Sequence, residues 1–568
     1  MDNVHCDYSF LPHVVRQRTL RGGGHHAHTG FWMFKTHLDT KRRCRFAVRL
    51  AFVGFFLPYL AAQTTGSTAP PPIAPGGTPP TTSTDTRITP AQAKELFHSV
   101  DTILQFDSND TGYPIRHAVK PRLVTRDQVV QYLTDQLRKG REAQRLQQSE
   151  LVLKKFGLLD RDFHLEPFLI QLLREQIAGY YDDKTKTVNL LDWIEPEAQK
   201  PVLAHELTHA LQDQHVSLEK WERADEEKTA KNVAQDNEHL AKDEDDTVRD
   251  AVLEGQAMAV FIDYALAPAG KNLLTAPDLV RTMKRAMNDN TDSPVMARAP
   301  LLLQQSLIFP YREGLDFITA VLRARGKDAA FAGTLDRPPS STYEILNPQA
   351  YLDHAKVPLL TMPDIHGLIG PEYKPYDVGV MGELDVRILT ALFGGQQAAA
   401  ALAPAWRGGI YYAAQSRKAR TAAEKTSTAS LGLLYLSRWA TPKAAQGFAS
   451  IYAAEIGRKY DHAIPRVSDA QPPSDKEIER IWDTPEGPVL IAVSGKTVFI
   501  SESFPMPLAR KLEFVMMGSV ANSARNAIAA NVQPSAELSS SLRQFLYKAG
   551  IPLAATRIPQ PASRGRIY

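Results

Sequence analysis

His205, Glu206 and His209 lie in the stretch PVLAHELTHALQDQH (201–215), where residue type and spacing suggest metal chemistry. Two histidines four positions apart on a helix lie on one face, so both imidazoles can reach the same ion. Neutral imidazoles bind zinc, and a glutamate beside the first histidine can take a proton from zinc-bound water. The HExxH pattern therefore predicts a zinc site with His205 and His209 as ligands and Glu206 as general base.

The helix that would carry these residues can be read from the same stretch. An apolar stripe at helical spacing is formed by Val202, Leu203, Ala210 and Leu211. Pro196 is suited to the first turn of such a helix. The alternative is an amphipathic helix whose polar residues are merely solvated. A third ligand would decide the question, because a catalytic zinc usually has three protein ligands and one open position.

Glu254 is the best candidate for that third ligand. It is the one ionisable residue in the apolar stretch AVLEGQAMAVFI (251–262), and a buried carboxylate is costly unless a cation pairs with it. A zinc ion held by His205 and His209 would be a suitable partner, and Gly255 would let two helices approach closely. The alternative is that Glu254 pairs with an arginine or lies at an exposed helix end.

Other polar residues compete for a role. His215 lies beyond the face that would carry His209, so we interpret it as a surface histidine. Asp250 and Asp263 are candidates for orienting a ligating histidine. The densely charged run 217–250 predicts a solvated helix or a mobile connection, which would expose His239, Glu244, Asp245 and Asp246.

The residues before the helix predict a β-hairpin over about 177–191. If TKTVNLL (185–191) is an edge strand beside a zinc site, a peptide substrate could bind to it by strand addition. The alternative is an ordinary structural hairpin. Three tyrosines are candidates for a further role: Tyr180, Tyr181 and Tyr311. Their hydroxyls could stabilise charge at the scissile carbonyl, or their rings could serve only in packing.

The N-terminal residues 1–62 are predicted to direct export. A basic cluster, KRRCR (41–45), precedes an apolar run, FAVRLAFVGFFLPYLAA (46–62), that ends in small residues, as a secretory signal peptide does. Cleavage near Ala62 would leave a periplasmic or extracellular protein, whereas an uncleaved segment would anchor it in the membrane. The two cysteines, Cys6 and Cys44, both precede residue 62, so the remainder can form no disulfide.

Composition divides the rest of the chain. Residues 63–90 are rich in Pro, Thr, Ser and Gly and predict an extended linker. We expect a zincin-like domain over 91–365, a smaller α+β domain over 371–558 and a tail over 559–568. The predicted fold class is α+β, mainly α with small β elements. A formal net charge of +3 over 568 residues argues against a nucleic-acid-binding surface.

These motifs resemble the gluzincin metallopeptidases, in which HExxH and a downstream glutamate on a second helix bind zinc. More narrowly, stretches within roughly 165–355 resemble a group of exported bacterial and archaeal proteins with predicted metalloprotease motifs: AGYYDDKTKTVNL, AHELTHALQDQH, VLEGQA, FPYREGLDF and PPSSTYEILNPQAYL. The resemblance implies His205, His209 and Glu254 as zinc ligands and Glu206 as catalytic base.

Two positions depart from the resemblance. Many gluzincins carry an acidic residue four positions after the ligating glutamate to orient a histidine, and Met258 stands there in this chain. The orienting residue is therefore left unassigned. In the narrower group a histidine often precedes the proline of the ILNP stretch, where this chain has Asn347.

Three hypotheses follow. The first is an exported metallopeptidase with one zinc per chain that hydrolyses peptide bonds of a protein or peptide through a zinc-activated water. The second is an inactive zincin-like scaffold that binds a partner in the cell envelope, but such a scaffold has no chemical need for Glu206. The third, a structural protein with an accidental motif, does not explain Glu254. No nucleic-acid partner is expected, and membrane contact is expected only through an uncleaved signal segment.

Overall fold

The first helix begins where the sequence predicts ordered structure. In a computed structural model of the chain the described residues are 87–138, 141–175, 179–221, 232–287, 293–466 and 477–526. Helix α1 (Pro90–Thr111) is capped by Thr89, whose hydroxyl accepts from the Gln92 N–H while the Gln92 side chain accepts from the Thr89 N–H. The targeting segment 1–62, the linker as far as residue 86 and the tail 559–568 lie outside the described residues.

The first part of the described chain is mostly helical and contains one small sheet. Its further helices are α2 (Arg126–Arg138), α3 (Arg141–Phe156), α4 (Leu165–Glu175), α5 (Pro196–Val216), α6 (Leu218–Trp221), α7 (Val233–Leu240), α8 (Asp245–Leu266), α9 (Pro277–Ala286), α10 (Pro294–Ala297), α11 (Leu301–Arg325), α12 (Lys327–Ala330), α13 (Ala332–Asp336), α14 (Thr342–Leu346), α15 (Pro348–Leu352) and α16 (His366–Ile369). Its strands are β1 (Lys120–Val124), β2 (Tyr180–Asp182) and β3 (Thr187–Leu191). Among the described residues no helix combines the length and apolar composition needed to cross a membrane.

Strand β3 is the middle strand of the small sheet. The order is β1-β3-β2, with β2 antiparallel and β1 parallel to β3. The predicted hairpin is therefore confirmed. Of the two alternatives for TKTVNLL (185–191), the edge strand is ruled out, because β1 pairs with the second side of β3. The edge strands of this sheet are β1 and β2, and β2 is the hairpin strand at the edge.

The charged run 217–250 is not uniformly solvated where the structure describes it. Its buried ionisable residues are Asp236, His239, Asp243, Glu244 and Asp246. Glu244 accepts hydrogen bonds from Ser341 Oγ at 2.6 Å and Thr342 Oγ1 at 2.5 Å. His239 Nε2 donates to the Val378 carbonyl at 2.6 Å. The expectation of exposure is wrong for His239, Glu244 and Asp246, which are buried, and Asp245 is half-buried. The partners of His239 and Glu244 come from segments far along the chain, which the local sequence does not reveal.

The second part of the described chain is built on a large antiparallel sheet. Its strands are β4 (Tyr373–Val380), β5 (Trp406–Ser416), β6 (Leu431–Trp439), β7 (Ile464–Pro465), β8 (Glu477–Asp483), β9 (Val489–Ser494) and β10 (Thr497–Glu502). They pair in the order β4-β5-β6-β10-β9-β8-β7. Its helices are α17 (Glu383–Leu402), α18 (Ala422–Lys425), α19 (Pro442–Lys459) and α20 (Met506–Asn526). The α+β class is confirmed, and the β structure is more extensive than the small elements expected.

Apolar side chains cover both faces of the large sheet. On one face the main core continues into the helical part, where Phe156 of α3 meets the rings of Tyr411 and Tyr435 edge-on, with centroids 5.4 and 6.1 Å apart. The other face forms a second core with residues such as Leu240 of α7 and Leu512 of α20. The main core therefore crosses the predicted boundary between 365 and 371, and the division into two domains stays a prediction.

Candidate metal centre

Helix α5 brings His205 and His209 to one point. The rings lie one helical turn apart with centroids 4.8 Å apart, and their Nε2 atoms are separated by 3.1 Å. Both side chains are buried. Two ring nitrogens that face each other at this distance must share a proton or a cation, since two lone pairs would repel each other.

Helix α8 adds Glu254 to the two histidines. Its Oε2 lies 3.0 Å from His205 Nε2 and 3.4 Å from His209 Nε2. The three ligating atoms all fall within 4.8 Å of one another, and among the described residues no other group of three His, Cys, Asp or Glu side chains is arranged in this way. The alternatives for Glu254, an arginine partner or an exposed helix end, do not hold in the structure, because the residue is buried against the histidines.

The electrostatics around Glu254 suit a cation. Burial by itself raises the pKa of this carboxyl, but the charge of His209 and hydrogen bonds with both histidines outweigh burial and hold the pKa of Glu254 well below its ordinary value. The group thus offers two imidazole nitrogens and one carboxylate oxygen. Zinc takes this donor set in catalytic sites that keep a fourth position open.

Close helix packing sets the position of Glu254. Gly255 lies where α8 crosses α11, and a Cβ built on it would come within 2.4 Å of the Gly314 backbone. A Cβ on Gly314 would in turn lie 2.2 Å from the Ala251 carbonyl oxygen. The close approach that Gly255 suggested is therefore present, and its partner is α11.

Glu206 follows His205 in the chain and is not one of the three groups that could hold an ion. It is buried, and its Oε2 accepts a hydrogen bond from the Tyr181 backbone N–H at 2.8 Å. Strand β2, which supplies this N–H, is held to α5 by Asp213. The carboxylate of Asp213 accepts from the Tyr181 hydroxyl at 2.8 Å and also pairs with Lys186. The hairpin therefore orients the proposed base through its backbone.

The three candidate tyrosines differ in their relation to the centre. The Tyr181 hydroxyl is bonded to Asp213, so its backbone and not its hydroxyl faces Glu206. The Tyr311 ring stacks on His205 with centroids 6.3 Å apart and planes 20° apart. Tyr180 is buried on β2, and burial raises its pKa to about 12. A hydroxyl role at the scissile carbonyl stays a prediction, with Tyr311 the best placed.

A glutamine that the sequence analysis did not consider orients His209. Gln212 Oε1 lies 2.8 Å from His209 Nδ1. At His209 this contact fills the orienting role for which Asp250 and Asp263 were candidates, and a role for Asp250 stays a prediction. Asp263 instead accepts from the Leu273 N–H near the end of α8. The spacing of Gln212, three residues after His209, was a signal that could have found it, because such residues share a helix face.

His215 lies away from the centre, as predicted. Its ring packs on Tyr113 with centroids 5.0 Å apart, and its Nε2 lies 3.5 Å from Asp336 Oδ1. It is not part of the group that could hold a metal ion.

Comparison of the chain with known protein families, with curated proteins and with solved structures gives no match. The interpretation of the centre therefore depends on the geometry and chemistry of the residues themselves.

Proposed function

We propose that the chain is an exported zinc-dependent peptidase of the gluzincin type, which hydrolyses peptide bonds in a protein or peptide. The observation that carries the proposal is the buried convergence of His205, His209 and Glu254 with Glu206 beside them. The export part of the proposal depends on the N-terminal sequence alone.

The donor set fits zinc better than calcium or magnesium. Calcium and magnesium prefer sites made of oxygen ligands, whereas this group has two nitrogens and one oxygen. His205, His209 and Glu254 would hold the ion. When bound, zinc would polarise a water molecule and the substrate carbonyl and so make the water a stronger acid.

Glu206 is suited to proton transfer. It follows His205 directly, it is not one of the three converging groups, and the Tyr181 N–H fixes one of its oxygens. A carboxylate held in this way can take a proton from the attacking water and pass it to the leaving amine. The edge strand β2 lies next to this carboxylate, which favours an extended peptide as substrate.

The first experiment measures zinc per chain by elemental analysis in the purified parent and in Glu254→Ala. We expect one zinc per chain in the parent and loss of zinc in the variant, because one of three ligands is removed. Asp245→Ala, which removes a half-buried carboxylate at the start of the same helix, is the matched control and should keep its zinc. A folded parent that binds no zinc when zinc is supplied would refute the proposal.

The second experiment tests hydrolysis with a mixture of unstructured peptides and mass spectrometry of the products. The zinc-loaded parent should cleave, and Glu206→Gln should keep zinc but lose roughly 10²–10⁴-fold in rate, the usual contribution of a general base. If the parent binds zinc and cleaves no peptide, the inactive scaffold becomes the better description.

A further inference from the structure

A chain of buried amides leads away from the metal-facing histidine. Gln212 Oε1 lies 2.8 Å from His209 Nδ1, and Gln212 Nε2 donates to the Leu253 carbonyl at 3.0 Å and to Gln256 Oε1 at 2.9 Å. Gln256 Nε2 donates in turn to the carbonyls of Ala330 and Phe331 at 3.1 and 2.9 Å. Each amide thus joins the next by a bond of ordinary length.

The backbone carbonyls that the two glutamines contact determine the direction of these hydrogen bonds. Carbonyl oxygens can only accept, so the carbonyls of Ala330, Phe331 and Leu253 require the NH₂ end of each glutamine to face them. The carbonyl end of Gln212 must then face His209 Nδ1. Nδ1 therefore carries a hydrogen whether His209 is charged or neutral. When the ring is neutral and free to bind a metal, its lone pair is on Nε2, the atom that faces Glu254.

The surroundings lock this arrangement in place. Gln212 and Gln256 are both fully buried, so water does not compete for their amides. The Tyr113 hydroxyl donates to Gln256 Oε1 at 3.0 Å, and Gln256 Nε2 also donates to Thr334 Oγ1 at 2.9 Å. Because Gln212 is on α5 and Gln256 is on α8, the amides also join the two helices that supply the ligands.

We propose that Gln212 and Gln256 form a positioning relay that holds His209 in the tautomer and orientation needed to bind metal. The inference rests on the proposed function, since it concerns the same centre. The relay differs from the usual arrangement because its members are uncharged. Carboxylates commonly hold metal-ligating histidines, and they add a negative charge that a glutamine does not. Glu254 is then the sole anionic group in the ligand set and its relay, so a bound cation keeps more of its positive charge.

The test is the zinc dissociation constant of the full protein, measured by competition with a chromophoric chelator, in the parent and in Gln212→Met. Methionine fills a similar volume, but its thioether sulfur is only a weak acceptor for the Nδ1 hydrogen. We expect zinc binding to weaken by about 10–100-fold, the usual effect of losing a partner that orients a ligand. Gln256→Met should weaken binding in the same direction by roughly threefold to tenfold, because Gln212 keeps its bond to Leu253. Gln256→Met serves as the test variant if Gln212→Met does not fold.

Gln199→Met is the matched control. Gln199 is also a buried glutamine on α5, but it bonds the backbone of Leu191 and Ile194 and does not join the relay. It should lower the free energy of unfolding of the metal-free protein and leave the zinc dissociation constant unchanged. Parent-like zinc binding in folded Gln212→Met and Gln256→Met, or equal weakening in Gln199→Met, overturns the relay. A parent that binds no zinc overturns the proposed function itself.

Discussion

At the scale of single residues, the partners of a buried carboxyl group decide whether it is ionised. Glu254 has two histidines beside it and stays ionised, whereas Glu383 at the start of α17 has Asn347 as its hydrogen-bond partner, at 2.8 Å. Burial raises the pKa of Glu383 from 4.5 to about 7. Asn347 therefore gives Glu383 a neutral partner.

This pKa shift predicts a specific pH dependence. Between pH 4.5 and about 7 the folded state keeps the Glu383 proton that the unfolded state releases, so this residue makes the protein less stable as pH rises. Glu383→Gln should remove this effect and gain on the order of 2–3 kcal/mol relative to the parent between pH 5 and pH 8. Urea unfolding at both pH values measures it, with exposed Glu372→Gln as control. An equal difference at both pH values would contradict the assigned pKa.

At the scale of elements, the crossing of α8 and α11 holds Glu254 in place. Gly255→Ala would put a methyl group into the Gly314 backbone, so the helices must separate. We expect a loss of about 1–3 kcal/mol in the free energy of unfolding, the usual cost of overpacking, together with weaker zinc binding because Glu254 is the neighbouring residue.

Gly457→Ala provides the comparison for that prediction. Gly457 lies inside helix α19, and a Cβ there would meet no atom within 4 Å. Alanine at an unhindered helix position should be neutral or stabilising by about 0.5–1 kcal/mol. Urea unfolding and chelator competition measure both variants. Unchanged stability and zinc binding in Gly255→Ala would show that the helices can separate without moving Glu254.

At the scale of the whole molecule, buried contacts join the helical part to the large sheet. Lys155 at the end of α3 donates to Glu486 Oε2 at 2.9 Å and to Ser503 Oγ at 2.6 Å. Its side chain is fully buried, and burial lowers its pKa to about 7. Together with the packing of Phe156, these bonds make independent unfolding of the two parts unfavourable.

We therefore predict a single cooperative unfolding transition. Hydrogen exchange in increasing urea, followed separately in peptides from α5 and from β5, should give one midpoint for both. Lys155→Met should lower the free energy of unfolding by about 1–3 kcal/mol in both sets of peptides, because Glu486 and Ser503 lose the hydrogen bonds that the buried ammonium donates, while Arg161 still pairs with Glu486. Exposed Lys496→Met is the control. Two separate midpoints in the parent would favour independent domains over 91–365 and 371–558.

The sequence by itself determined the features that depend on local periodicity. His205 and His209 had to share a face once 196–216 formed a helix, and the β2–β3 hairpin followed from alternation around a turn. Glu254 could be singled out because a lone carboxylate in an apolar helix needs a partner. The α+β class followed from the same local patterns.

Only the tertiary structure decided which distant groups meet. It made β3 a central strand, because its second partner comes from residues 120–124. It buried Glu244 and His239 against residues beyond 340, although the local sequence is charged. It also set Gln212 against Gln256 and gave His209 an amide partner. These contacts join positions far apart in the chain, and the energy of burying polar groups depends on where the chain brings them together.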